Sequence, residues 1–283
     1  VKVRRGFVEV DEGQVHYREA GTPAPGEAPL VLLHASPGSS KTLEPLLRVL
    51  GRTRHVLAPD TLGNGDSAAP ADAPLDVPYF AEAHRRALDA LGIERFDLYG
   101  THTGANIACE LAIRHPARVR SLILDGIGLY DEEEQSELLS CYLPRVSIDH
   151  DGRQLHQVWS FVRDAYLFWP WYRKDAAHRR PGGLPDADTL HDKVVEVLKA
   201  ARTFHMPYRA ALAYDKKARL PLVRVPTLVA CAADDMLFEY LEGVLALMPN
   251  AERATHRGIG SVEAAHETAA AFERFLAGTV ASA

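Results

Sequence analysis

Short runs of continuous apolar residues, each followed by an amphipathic stretch, recur along the chain and constrain its fold more than any other feature. Pro29-Leu30-Val31-Leu32-Leu33-His34, His55-Val56-Leu57-Ala58-Pro59-Asp60, Phe96–Tyr99, Ser121–Asp125 and Thr227-Leu228-Val229-Ala230-Cys231 are short and apolar nearly throughout. Runs of that length without alternation suit strands buried on both faces of a parallel sheet. Parallel strands need crossovers, and the segments between the runs supply helices. One covers Leu43–Leu50, a second is capped by Asp76 and carries Phe80, Ala83, Ala87 and Leu91 at helical spacing, and a third covers Ala105–His115. Arg253–His256 reads as a last strand, and Ala265, Ala269, Phe272 and Leu276 mark one face of a closing helix. Near the start, Phe7–Val10 and Val15–Arg18 alternate around Asp11-Glu12-Gly13, which predicts a β-hairpin. The predicted class is α/β, with a mostly parallel central sheet flanked by helices.

The rhythm breaks after Gly126. From Ile127 to about Asp215 there are helical pieces and loops but no buried run, and the stretch holds twelve of the 22 aromatic residues, including Trp159, Trp169 and Trp171. We read 127–215 as a mainly helical cap inserted into one core made of 1–126 and 216–283. Within the insertion, Arg173-Lys174 and Arg179-Arg180 read as a solvated face, with an acidic-substrate gate as the other reading.

Composition narrows the function classes. Hydrophobic residues at 47% and charged residues at 25% exclude disorder for most of the chain. A net charge of −6 argues against a general nucleic-acid surface. No apolar run approaches the roughly 18 residues of a membrane span, so no membrane partner is expected. Cys109, Cys141 and Cys231 are far apart and form no C-x-x-C pair, which fits a reducing cytoplasm. The histidines lack metal-ligand spacing, and neither metal nor cofactor is expected. The partner read from the chain is a small-molecule substrate; the oligomeric state stays open.

Gly100-Thr101-His102-Thr103-Gly104 lies between a predicted strand and a predicted helix. A sharp strand-to-helix turn needs small flanking residues, because side chains there collide with neighbouring backbone. Its central residue is thereby lifted to the top of the sheet, above a helix N-terminus.

With His34-Ala35-Ser36-Pro37-Gly38, Asp60-Thr61-Leu62-Gly63-Asn64-Gly65-Asp66-Ser67 and His115-Pro116-Ala117-Arg118-Val119, this turn resembles the α/β-hydrolase fold family over nearly the whole chain. That family carries Ser, Cys or Asp at the elbow centre, where this chain has His102. The resemblance implies that the acid is Asp235, beside Asp234, after the strand that follows the insertion. It places the usual catalytic histidine near Gly258, where Arg257-Gly258-Ile259-Gly260-Ser261 has none; His256 is the nearest candidate. It also implies an oxyanion hole from the backbone amides of Ser36 and Thr103.

A neutral imidazole at the elbow can take a proton from water or from a carbon acid, and His102 is read as a general base rather than a covalent nucleophile. Longer than serine, it can reach toward Asp235. His34, Thr101, Trp159, Phe168 and Trp169 are candidate pocket residues, since a lid rich in rings suits a hydrophobic or aromatic molecule. Hydrolysis of an ester, lactone or C–C bond leads. The alternatives are a lyase, decarboxylase, isomerase or cyclase using His102 as acid–base, and a silent ligand-binding protein.

Overall fold

The computed structural model describes residues 1–24, 26–71 and 74–281. Arg4–Val10 (β1) and Gly13–Ala20 (β2) form the expected hairpin, with Val8 opposite Val15. Leu30–Leu33 (β3), Val56–Pro59 (β4), Phe96–Thr101 (β5), Val119–Asp125 (β6), Thr227–Ala232 (β7) and Glu252–His256 (β8) complete one eight-stranded sheet. Its order is β1-β2-β4-β3-β5-β6-β7-β8, antiparallel where β2 meets β1 and β4 and parallel elsewhere.

The uniform apolar runs are explained by burial on both faces. Strand side chains alternate, so Leu30 and Leu32 enter one core and Val31 and Leu33 the other. The first core is covered by Glu44–Leu50 (α1) and, near the C-terminus, by a helix over Val262–Ala281, through Leu47, Phe272 and Leu276. On the opposite face lie Val77–Ala90 (α2) and Thr103–Arg114 (α3), which contribute Phe80, Leu88, Ile107 and Leu111. Asp76 caps α2 by accepting from Tyr79 N at 2.9 Å.

Between β6 and β7 run Glu132–Cys141 (α4), Arg153–Leu167 (α5), Ala187–Lys199 (α6), His205–Ala213 (α7) and Lys216–Arg219 (α8). Among the described residues the only β pairing in this segment is an isolated bridge between Phe168 and Arg179. It has its own apolar clusters, one around Val158, Phe161, Val197 and Phe204, another around Leu138, Tyr142 and Leu212. The segment is fastened to core loops by polar contacts: Ser39 Oγ donates to Glu196, Thr203 Oγ1 donates to Gly63 O at 2.7 Å, and Lys199 pairs with Asp66 at 3.1 Å. After β7, Leu241–Leu247 (α9) packs Leu241 and Val244 on the sheet; its seven residues left too little periodicity to be read from sequence. The closing helix, Val262–Ala281, is α10. No helix among the described residues is long and apolar enough to cross a membrane.

This order fixes where a ligand can sit. β4 lies on one side of β3, and the next strand in sequence, β5, lies on the other. The loops leaving β3 and β5 therefore diverge and leave a crevice outside their carboxyl ends. Ser36 follows β3 and His102 follows β5.

Candidate active site

The elbow forms because its flanks are bare. A Cβ on Gly100 would lie 2.2 Å from Gly104 O, and a Cβ on Gly104 would lie 2.2 Å from Leu33 O and 2.7 Å from His34 O. The start of α3 is thus pressed against the segment leading to Ser36. His102 takes φ 50° and ψ −110°, and it is the only non-glycine residue with positive φ among those described. A side chain held there costs about 1–3 kcal/mol, a strain that clusters at functional positions. His102 N bonds to Asp125 O at 3.0 Å, which ties the turn to β6.

The imidazole reaches the acid directly. His102 Nε2 lies 2.9 Å from Asp235 Oδ2, and Asp235 Oδ1 accepts from Leu237 N at 2.8 Å. Asp235 as acceptor assigns the Nε2–H tautomer and leaves Nδ1 with its lone pair. Burial by itself pulls the His102 pKa down, but the charge and hydrogen bond of Asp235 outweigh it, so it is raised. Burial pushes the Asp235 carboxyl up; the His102 charge and bond, helped by Leu237 N–H and Arg180, bring it down to about 2. Gly126 makes room for this pair, since a Cβ there would stand 2.7 Å from His102 Cδ2.

Two cavities flank the pair. One of about 30 Å³ touches His102, Thr103, Asn106, Trp169, Tyr208 and Lys216, with space for about one water. The other, about 670 Å³, lies along Asp235 and is lined by Thr101, Asp125, Arg180, His256 and the loop from Arg257 to Ser261. Thr101 and Trp169, two of the pocket candidates, therefore line cavities next to the dyad.

The other candidates are placed differently. His256 does not join His102: its Nε2 bonds Asp125 Oδ1 at 3.0 Å, and its Nδ1 accepts from Gly258 N at 2.9 Å. Both ring nitrogens are occupied. His34 is fully buried, donating from Nδ1 to Ala35 O and accepting at Nε2 from Thr61 N, each at 2.9 Å. Burial keeps its pKa low, and it braces the loop rather than facing a ligand. Phe168 lines neither cavity and sits on the bridge to Arg179. Trp159 is corrected outright: 39% exposed on α5, it is among the most exposed large apolar side chains. Ser36 and Thr103 are both buried, and Thr103, as the first residue of α3, has an amide without an intrahelical partner.

Sequence reading missed three polar residues. Asn106, one turn beyond His102 on α3, donates from Nδ2 to His102 O at 2.8 Å; its spacing from the elbow was the available signal. Lys216 lies buried against the small cavity, donating to Ala211 O at 2.8 Å with its ammonium 5.5 Å above the Tyr130 ring. Arg180, read as part of a solvated face, instead enters the larger cavity, held by a bond from its Nη1 to Ala165 O at 2.8 Å. Among the described residues one further cluster has metal-ligand spacing, His16, Asp60 and Asp66, and its members are already paired with one another or with Lys199. His16 Nδ1 bonds Asp60 Oδ2 at 2.8 Å, and Asp66 pairs with Lys199.

A sheet of this order, an elbow after β5 and an acid after β7 define a fold family. Residues 28–255 match the family model of the alpha/beta hydrolase fold, and the chain belongs to that family. Over 101 residues it is 44% identical to a 2-hydroxymuconate semialdehyde hydrolase of Pseudomonas sp. (strain CF600), a match spanning 35% of this chain and only 36% of that relative. A longer match, 28% identical over 244 residues, covers 85% of this chain and 87% of a protein of Stutzerimonas stutzeri (strain A1501) named as carbamate hydrolase RutD. Among solved structures, epoxide hydrolase A from Mycobacterium thermoresistibile superposes with a TM-score of 0.76 at 21% identity, covering 98% of this chain and 99% of that one. A hydrolase from Pseudomonas aeruginosa PA01 gives 0.73 at 21% identity, with 96% and 98% covered. At such identities the structures speak for the fold alone.

Proposed function

We propose that this protein hydrolyses an ester, lactone or activated C–C bond of a small hydrophobic or aromatic molecule, with His102 as the general base. The observation that carries this reading is the 2.9 Å contact between His102 Nε2 and Asp235, which leaves Nδ1 as the basic atom. Nδ1 takes a proton from water, and the hydroxide attacks the carbonyl carbon. Negative charge then develops on the carbonyl oxygen, and the Ser36 and Thr103 amides receive it without reorganisation. Asp235 stabilises the imidazolium until it returns the proton to the leaving group. The water-sized cavity against His102 and the rings of Trp169 and Tyr208 support this assignment. Residues 127–215 serve as the lid, and unpaired Cys109, Cys141 and Cys231 fit a cytoplasmic setting.

An elbow whose centre carries an imidazole in place of a hydroxyl or thiol nucleophile also suits proton abstraction from carbon, so a lyase or isomerase is the second reading. Turnover of an ester and lactone panel in heavy-oxygen water tests both. Hydrolysis incorporates the label into the acid product and is lost in His102→Ala. An inert panel removes the hydrolytic reading.

A further inference from the structure

Helix α6 lays one stripe on the loop that follows β3. Glu196 accepts from Ser39 Oγ, and Lys199, three residues on, pairs with Glu196 at 3.0 Å and with Asp66 at 3.1 Å. One turn earlier on the same stripe is Lys193. A Cβ on Gly38 would stand 3.2 Å from its Nζ, so the ammonium rests against Gly38, two residues beyond Ser36 in the loop. Gly38 itself closes the turn by donating to Ala35 O at 2.9 Å.

What surrounds this ammonium is the informative part. Among the described residues no acceptor lies within hydrogen-bond distance of Lys193 Nζ, and no carboxylate lies within 4.0 Å. Glu196 is committed to Ser39 and Lys199, and Asp192 turns outward to Lys41 at 3.6 Å. Below the loop, Asp60 is bound by His16, Ser40 N and Asp66 N. His34 is uncharged as its two bonds require, and it offers no acceptor upward. Burial holds the Lys193 pKa down at about 8, against the pull of Glu196. A partly desolvated ammonium with no acceptor is costly unless something supplies one. A charge developing only in a transition state leaves that cost standing in the resting complex, whereas a permanent anion on a ligand removes it.

We propose that Lys193 is a specificity residue that binds a carboxylate carried by the substrate, two residues along the loop from the Ser36 amide. The substrate is then the ester, lactone or ketone of an organic acid, with its free carboxylate a few bonds from the reacting carbonyl. This inference rests on the reading of the Ser36 loop as the oxyanion side of the site.

A matched pair of probes tests it: para-nitrophenyl butyrate, which is neutral, and para-nitrophenyl hydrogen succinate, which replaces the terminal methyl with a carboxylate. The expected result is a kcat/KM preference of about tenfold or more for the succinate, the range of a charge-assisted hydrogen bond. Lys193→Met brings the ratio close to one, mainly through KM for the anion, and Lys193→Arg keeps most of it. A wild-type ratio near one, or a ratio unchanged in Lys193→Met, overturns the proposal. If neither ester is turned over, the hydrolytic reading fails and calorimetry decides separately. Butanoate binding more tightly than butanamide, with the difference lost in Lys193→Met, upholds the anion site; equal binding overturns it. A thermal melt of Lys193→Met checks that the variant is folded.

Discussion

Replacing Asp235 with asparagine removes one charge from a contact of known geometry while keeping its shape. The wild-type pair is 2.9 Å apart, with side chains 28% and 21% exposed, so solvent screens it only in part. A charge-assisted hydrogen bond of this kind is worth about 1.5–3 kcal/mol, and each pKa unit is about 1.4 kcal/mol. Asp235→Asn therefore lowers the His102 pKa by about 1–2 units. The base works only when neutral, so wild-type activity rises with pH through a pKa above 6.5, and in the variant that limb moves to lower pH. The plateau also falls, by about 10²–10⁴, because an amide can donate to Nε2 and put the proton on the wrong nitrogen. Two assays check this, the pH profile of kcat/KM and an NMR titration of the His102 ring that needs no substrate. Stability carries the same signature. The raised His102 contributes fully below pH 6.5 and loses its share as pH rises through the folded pKa; the depressed Asp235 contributes above 3.8 and loses its share as pH falls through about 2. The stability gap between wild type and variant is thus widest between pH 3.8 and 6.5. A His102 that titrates at the same pH in both proteins refutes the coupling.

His102→Ala lowers kcat/KM about 10²–10⁴-fold in the ester assay with the fold intact by circular dichroism. Gly126→Ala, at φ +69° and 2.7 Å from the His102 ring, costs about 1–2 kcal/mol in a denaturant melt and also lowers activity. Gly92→Ala, at φ +71° with nothing within 4 Å, shows the strain alone and leaves activity unchanged. His256→Gln costs about 1–3 kcal/mol through its buried partner Asp125 but does not move the acid limb of the pH profile; a shifted limb places His256 in the proton path. Asp60, held down at about 2 by its hydrogen bonds to His16 and Ser40 N against its burial, stabilises the fold above pH 3.8 and loses that share as pH falls through about 2. Asp60→Asn consequently gives a shallower acid-unfolding curve.

The sheet was readable because burial on two faces leaves no room for polar residues in β3 or β4 and admits only Thr227, at its first position, in β7, and the two bare glycines of the elbow mark a backbone contact that nothing larger survives. The insertion was visible only as a loss of that rhythm. Its side chains were not placeable, nor was Lys216 just beyond it, because a long cation such as Lys193 or Arg180 has the same one-letter signature on a solvated face as in a cavity. Whether it snorkels outward or turns in depends on which loop lies beneath it, and that is decided by packing far along the chain. Trp159 errs in the opposite sense: aromatic content implied a wall, while the phase of α5 turns that ring outward and Phe161 inward. Of the two aspartates after β7 the family resemblance pointed to Asp235, and the turn from Ala232 to Asp235 aims that one at the elbow.

The elbow also explains why the loop after β8 can lack a histidine. In the family pattern the elbow side chain is too short to meet the acid, and an imidazole from that loop bridges them. Here the imidazole stands on the elbow itself and meets Asp235 at 2.9 Å, so no second ring is needed to bridge elbow and acid. The space beside Asp235 is then open as the 670 Å³ cavity along Gly258, and His256 is free to serve the core through Asp125. On the proposed reading this economy has a chemical consequence. One residue cannot be both attacking oxygen and base, so the attacking oxygen comes from water and no acyl-enzyme forms. Intact-protein mass spectrometry during turnover of an activated ester should show the unmodified chain alone. An acyl adduct on His102 would make it a nucleophile and would return the search for the base to the residues lining that cavity.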